Sequence, residues 1–584
     1  MGLALSRWLA VENTTTGLYI LIVIAAIILP VVRNILYNRG KSLVVWRILC
    51  FIPFVLCIIH FAFHTFGSFD ELIDTGLSLY GTMYLASALL ALLSLFGAKR
   101  TGFHIYAPLS GLLAVVCCLY SFLQLASHFP ATHDLTYKSY TDAYRSAIDI
   151  MKSEYVTAEW KQIDFDAIDR QIYPLVEKAE QDDDPLEYYI AMTNLAYLIP
   201  DGHVYADLFN IDVLENVDES LAGNDYGFIL YRLENGETDA FMVDEDSPAY
   251  RSGIKSGTRI TSWDGVPIEE AIENTNVIYT MFANYPVAAN ESFVKPIYLA
   301  GQGGDEISVG FIDESGSEQS VKLSKIGSYA KRLNEALYKF THFTVPASIE
   351  EIEEMMNSNF STKMLTDNCG YLKINGETYD DFLDIKAYVT GQYPEITEML
   401  KEKLTVLRNQ GMTRLVIDLR NNGGGSSEIS AAVTSLFTKE TRQMYTAGGV
   451  KGADIVREER YIYADGSFSD IDVIVLTNMY CASAGDELVK FLSTCDNVTT
   501  MGISHSNCSA QYAGGACYLP GGTVLYYPIG YTYDETGTLE IDTDANRQTR
   551  IPLDAVIPVT KEAARDIFEN GIDYELDYAV NYQG

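Results

Sequence analysis

The chain has 584 residues, enough for several domains, and a formal charge of −37. Residues 1–130 hold seven Lys/Arg and four Asp/Glu, leaving 34 basic and 74 acidic residues for the remainder, a net of −40. Such an acidic surface excludes nucleic acid as a partner, because phosphate binding needs basic surface.

Four apolar runs fill the first 130 residues, at about 17–37, 43–66, 77–97 and 103–127. Each is close to the ~20 residues that carry a helix across a bilayer. They predict four transmembrane helices, with buried soluble helices as the alternative. The first run is not a cleavable signal, since three more follow and no small-residue cleavage site stands out. Arg33, Arg39 and Lys41 follow the first run, and Lys99 and Arg100 follow the third, while the second link carries Asp70, Glu71 and Asp74. Basic links stay in the cytoplasm. The expectation is a multi-pass protein of the cell membrane, in contact with the lipid bilayer, with everything after about residue 128 extracytoplasmic.

Residues 131–220 read as a small helical domain. Asp142 to Tyr155, Asp164 to Ala179 and Pro185 to Leu198 carry apolar residues at helical spacing. The domain closes on Asp201-Gly202-His203-Val204-Tyr205, where His203 is either a base or a satisfied structural histidine.

Residues 221–328 contain Tyr226-Gly227-Phe228-Ile229 and, later, Asp246-Ser247-Pro248-Ala249-Tyr250-Arg251-Ser252-Gly253-Ile254-Lys255-Ser256-Gly257. The two stretches resemble the carboxylate-binding loop and the SPA-x-x-x-G-I-x-x-G run of PDZ domains linked to peptidases. The resemblance implies a PDZ-like β domain that adds an extended peptide as a strand and caps its C-terminus with backbone N–H groups. A docking module that binds no peptide is the alternative.

From 329 to 584, strands at Tyr371–Ile374, Leu415–Leu419, Val473–Leu476 and Thr523–Tyr527 alternate with helices at Glu395–Arg408 and Ser426–Phe437. Alternation of this kind predicts an α/β sheet with helices packed on it. Asp418-Leu419-Arg420-Asn421-Asn422-Gly423-Gly424-Gly425 ends one strand in a glycine turn that can point N–H groups outward. No Lys-Ser/Thr follows, so the turn is a poor phosphate loop. Cys481-Ala482-Ser483-Ala484-Gly485 leads from the strand Val473–Leu476 into a helix with acids in its first turn. Ser483 there reads either as a nucleophile beside free N–H groups or as an ordinary N-cap.

Together the two motifs, DLRNNGGG and ASAGDE, resemble the serine peptidases of the C-terminal-processing-peptidase and tricorn-core type, over roughly residues 140–560. The resemblance implies a crotonase-like core and a serine endopeptidase acting on protein or peptide chains. Ser483 would be the nucleophile, with the N–H groups of Gly424 (or Gly423) and Ala484 forming the oxyanion hole. The processing peptidases carry a lysine base about twenty-five residues after the serine. This chain reads Gly502-Ile503-Ser504-His505-Ser506-Asn507-Cys508 there, with no lysine and with Asn507 in its place. His203 matches the histidine of the tricorn-like members, and His505 is a rival base. The acid stays open among Glu540, Asp542 and Asp544. A catalytically inactive homologue that binds peptides or scaffolds a complex is the other reading. No cofactor or metal is expected: Cys50, Cys57, Cys117 and Cys118 read as small apolar fillers, and the five later cysteines show no metal-ligand spacing. Cys508 and Cys517 are left open between a small disulfide loop, if the domain is outside the cell, and free thiols, since spacing alone does not fix geometry.

Overall fold

A computed structural model describes residues 132–208, 222–275, 277, 288–343, 359–448, 458–507, 514–534, 536–540, 543–549 and 551–583. The chain divides into two compact units, 1–134 and 135–584. Of the first, only the strand Thr132–Asp134 is described. The expectation of four transmembrane helices, and with it a multi-pass membrane location, is corrected. Among the described residues no helix is long and apolar enough to cross a membrane. The four apolar runs that carried the expectation lie outside the described residues.

The centre of the second unit is a six-stranded sheet. Its order is Phe360–Met364, Cys369–Ile374, Arg414–Asp418, Asp472–Leu476, Val498–Gly502, Ala555–Val556. The first pair is antiparallel and every later pair parallel. Arg414–Asp418 and Asp472–Leu476 lie in the middle and are buried on both faces, hence their near-continuous apolar sequences. Alternate residues serve different layers. Leu415, Ile417, Val473 and Val475 meet the buried face of the helix Pro394–Asn409, whose Ile396, Leu400, Leu404 and Leu407 recur at helical spacing. Val416, Ile474, Leu476 and Met501 join the opposite cluster, shared with residues 222–341 and the C-terminal segment.

The helices Tyr140–Glu154, Phe165–Asp182 and Pro185–Tyr197 match their sequence periodicity closely. Ser139, Asp164 and Asp184 cap them by accepting from N–H groups in the first turn. They pack on Thr523–Tyr527, which pairs antiparallel with both Gly515–Tyr518 and Tyr205–Leu208. Cys517 is buried there as a free thiol, so of the two alternatives left open for Cys508 and Cys517, bridged or free, Cys517 takes the free one. Cys508 itself lies outside the described residues.

Residues 222–343 form a second sheet, with strands Ile229–Arg232, Thr238–Phe241, Thr258–Trp263, Glu306–Ile312 and Glu318–Ser324 in that order. Two helices, Ala288–Leu299 and Ala330–Thr341, belong to the same stretch.

A buried ion network fastens the C-terminal segment to the central sheet. Arg420 donates to both carboxylate oxygens of Asp573, at 2.7 and 2.8 Å, and to Asp418 at 2.7 and 3.0 Å. Glu575 accepts from Arg420 at 3.3 Å and from the N–H of Ile503 at 2.8 Å. Burial alone would raise Asp418, yet Arg420 and Lys373 hold its carboxyl well below the usual carboxylate range. Removing one partner of such a group leaves charge buried and unpaired. Arg420→Met is expected to lower the unfolding free energy by about 3–5 kcal/mol, read from denaturant unfolding.

Candidate active site

Two loops leave the carboxyl ends of the paired strands Arg414–Asp418 and Asp472–Leu476, whose register sets Asp418 beside Leu476. Neighbouring strand ends therefore bring the glycine turn against Ser483. A Cβ added at Gly424 would lie 2.6 Å from Ser483 Cβ, 2.7 Å from Ala482 O and 2.9 Å from Ala484 N. Gly424 has φ +94, which also favours glycine. Only a residue without a side chain fits this approach.

Ser483 holds φ 57 and ψ −123 at the start of the helix Ala484–Ser493. A non-glycine residue rarely adopts such a conformation, and it costs of order 1–3 kcal/mol. The side chain makes no capping hydrogen bond to the helix. Ser483 thus stands at the N-cap position without capping the helix through its side chain, and its strained strand-to-helix turn is similar to a nucleophile elbow. Ala484 opens the helix, and its carbonyl accepts from Ser430 Oγ at 2.9 Å, tying the helix to Ser427–Ser435.

Asn422 links the two loops. Its side-chain oxygen accepts from the N–H of Gly424 at 2.8 Å, and its carbonyl accepts from the N–H of Ala482 at 2.9 Å. Its Nδ2 donates to Glu377 Oε1 at 2.8 Å. Glu377 in turn donates its N–H to Gly424 O at 3.0 Å and accepts from Ser426 N–H at 2.8 Å. Asn422 and Glu377 are fully buried, and Glu377 Oε2 has no hydrogen-bond partner. Burial pushes this carboxyl up to about 7, against the relief from Asn422 and with a further push from Asp486. Asn422 stands inside the glycine motif. Glu377 carries no sequence signal: it sits in a loop between a strand and a helix, and only the fold brings it here.

His203 lies in a buried knot. Lys161 Nζ donates to Pro200 O and Thr543 O, both at 2.7 Å, and lies 3.6 Å from Asp201 Oδ2. Asp201 accepts from the N–H of His203 at 2.9 Å and from Tyr155 Oη at 2.7 Å. His203 Nδ1 is buried without a hydrogen-bond partner. Burial lowers the imidazole pKa, Asp201 opposes that and Lys161 adds to it. The knot ties the histidine segment to the stretch that holds Glu540, Asp542 and Asp544. Glu540 is buried and accepts from Lys490 Nζ at 2.9 Å, and desolvation raises it to about 7. Its neighbour Glu487 is on the helix that Ser483 starts, and donates its N–H to Ser483 O at 3.1 Å. Asp544 accepts from the N–H groups of Asn546 and Gln548 within its own turn. Asp542 lies outside the described residues.

His505 is half-buried. It donates its N–H to Asn290 Oδ1 at 2.9 Å, and its Nδ1 lacks a partner. Asn507 donates its N–H to Cys481 O at 2.8 Å, against the loop that carries Ser483. The structure thus brings Ser483, Ala484 and Gly424 together. It joins neither histidine to Ser483 by a hydrogen bond from Nδ1.

Residues 368–546, which contain both loops, match the model of peptidase family S41. The chain carries a peptidase family S41 domain. No match is found among curated proteins. In three dimensions the chain is similar to mature CPAF complexed with lactacystin, at 13% identity, 75% of this chain, 97% of that one and a TM-score of 0.45. It is also similar to the photosystem II D1 C-terminal processing protease, at 14% identity, 74% and 98% coverage and a TM-score of 0.29. A third likeness is to the tricorn protease, at 15% identity, 76% of this chain, 36% of that one and a TM-score of 0.26. The S41 domain supports a serine-type peptidase.

Two expectations follow for the S41 domain. Gly424→Val should cut peptide turnover by ~10²-fold or more in a chain whose circular dichroism is unchanged. Burial pushes the Glu377 carboxyl up to about 7 in the folded chain, from its ordinary value of 4.5 when unfolded. The folded state therefore holds more protons between those values, and this group's contribution to stability falls as pH rises from 4.5 to about 7. Glu377→Gln lacks that slope, so the difference between wild-type and variant unfolding free energies should fall by at most about 3 kcal/mol across that range.

Proposed function

We propose that the protein is a serine endopeptidase that cleaves protein or peptide chains. The observation that carries this reading is the strained elbow at Ser483 with Gly424 held against it inside the S41 domain. Ser483 Oγ attacks the scissile carbonyl and loses its proton to a base. The oxygen of the tetrahedral intermediate takes N–H donors from Ala484 and the glycine turn. The base returns the proton to the leaving amine as the C–N bond breaks. Water then attacks the acyl-enzyme by the same route and frees Ser483. In the resting chain the N–H of Gly424 is donated to Asn422, so it exchanges that acceptor for the oxyanion, or Gly423 donates instead.

His203 is the base of this proposal. A buried imidazole with an unpartnered Nδ1 on a rigid knot is suited to taking and returning a proton. Glu540 is the preferred acid, because it is buried with an unpartnered Oε2, whereas Asp544 is engaged in its own turn. The helical residues 131–220 and the PDZ-like residues 221–328 flank the core 329–584 in this reading.

A fluorophosphonate probe should label the wild-type chain and fail to label Ser483→Ala. Wild type that neither labels nor cleaves any peptide would favour the inactive, scaffolding homologue. The base is tested by pH. Burial lowers the His203 pKa, so the neutral, active form persists to lower pH. Half-maximal kcat/KM should fall below the ordinary histidine value of 6.5. His203→Ala should abolish cleavage and His505→Ala should not; full activity in His203→Ala would remove the base assignment.

A further inference from the structure

The loop Tyr226-Gly227-Phe228-Ile229 is the place where a PDZ-like domain would take a peptide's terminal carboxylate. Such a site has two requirements: backbone N–H groups free to meet the carboxylate, and an unpaired strand edge beside which the peptide can lie. Here the N–H of Gly227 and the edge of the strand that follows it are both taken.

The N–H of Gly227 is donated to Asp225 Oδ1 at 2.7 Å. Arg332 grips the same carboxylate from the other side, with Nε at 2.9 Å from Oδ1 and 3.1 Å from Oδ2. A further hydrogen bond, Nη1 to Met242 O at 2.8 Å, fixes the guanidinium. The nest thus already holds a carboxylate, and it belongs to the chain itself. Only the far edge of Ile229–Arg232 remains to be considered, since its other edge pairs with Thr238–Phe241. Ile229, Leu230 and Tyr231 have no exposed surface. The helix Ala288–Leu299 packs on this strand. The Tyr231 ring lies 5.6 Å from that of Phe340 and 5.0 Å from that of Phe568, and Glu234 donates its N–H to Val559 O at 3.0 Å. The helices Ala288–Leu299 and Ala330–Thr341 and the C-terminal segment cover the strand.

We propose that Asp225 is a built-in substitute for a peptide's terminal carboxylate. The 222–328 domain then takes no free C-terminus, and the enzyme cleaves internal bonds whatever the chain end. This rests on the peptidase reading and on the PDZ-like reading of the domain. Substrate choice passes to the surfaces around Ser483.

Two measurements test it on the full chain. Asp225→Ala leaves Arg332 and the N–H of Gly227 facing an empty carboxylate site, a charge-assisted receptor. Acetate should raise the melting temperature of Asp225→Ala more than chloride does at equal ionic strength, and should treat wild type like chloride. Acetate that does no more than chloride for a folded Asp225→Ala overturns the proposal. The second measurement uses wild type alone and matched fluorogenic peptides ending in a free carboxylate or an amide. Their kcat/KM values should agree within about twofold, and a preference of about tenfold or more for the carboxylate overturns the proposal. If Asp225→Ala does not fold, the peptide pair decides. If wild type cleaves neither peptide and takes no fluorophosphonate, the peptidase reading falls, and the acetate comparison still tests whether Asp225 fills a carboxylate nest.

Discussion

The parallel pairing of Arg414–Asp418 with Asp472–Leu476 is the constraint on which the rest depends. Parallel neighbours end on the same side of a sheet, so the loops that follow them emerge together. With Asp418 opposite Leu476, the glycine turn and the Ser483 elbow have no room for a side chain between them. A slip of one residue would exchange the faces of Val416 and Ile417, pulling apolar side chains out of both layers at once. The apolar packing on the two faces of the sheet therefore fixes the distance between the loops.

Asn422 turns that proximity into a fixed geometry. A backbone turn rich in glycine has many conformations to lose. Here the Asn422 side-chain oxygen accepts from the N–H of Gly424, its backbone carbonyl accepts from the N–H of Ala482, and its Nδ2 donates to Glu377. Asn421 and Asn478 do related work one layer away. Asn421 donates from Nδ2 to Thr341 O at 2.9 Å and from its N–H to Asn478 Oδ1 at 3.0 Å. Asn478 Nδ2 reaches the same Thr341 carbonyl at 3.2 Å. Both loops are thereby bonded to the end of the helix Ala330–Thr341, and through it to the second sheet.

Much of this was legible in the sequence, and the reasons differ by element. Ile396, Leu400, Leu404 and Leu407 announce a helix because one face is buried, and Val473–Leu476 announces a central strand because both faces are. The glycine turn and the Ser483 elbow were visible as motifs because their backbone demands few residue types. Glu377 was not visible, since a buried acid in a loop has no periodicity, and its partner is 45 positions away. Asp225 was missed for a related reason: beside a resemblance to a carboxylate-binding loop, nothing in the sequence says the carboxylate is supplied from within. The transmembrane expectation rested on apolar run length alone and found no support among the described helices.

The Arg420 network has a consequence for how the protein is made. Arg420 lies two residues before Asn422, yet its charge is balanced by Asp573 and Glu575 as well as Asp418. Ile503, on the loop beyond the next strand, is held by Glu575. A nascent chain released only as far as the Ser483 helix has the glycine turn and Asp418, but not Asp573 or Glu575, so the Arg420 guanidinium beside that turn is left with one carboxylate of three.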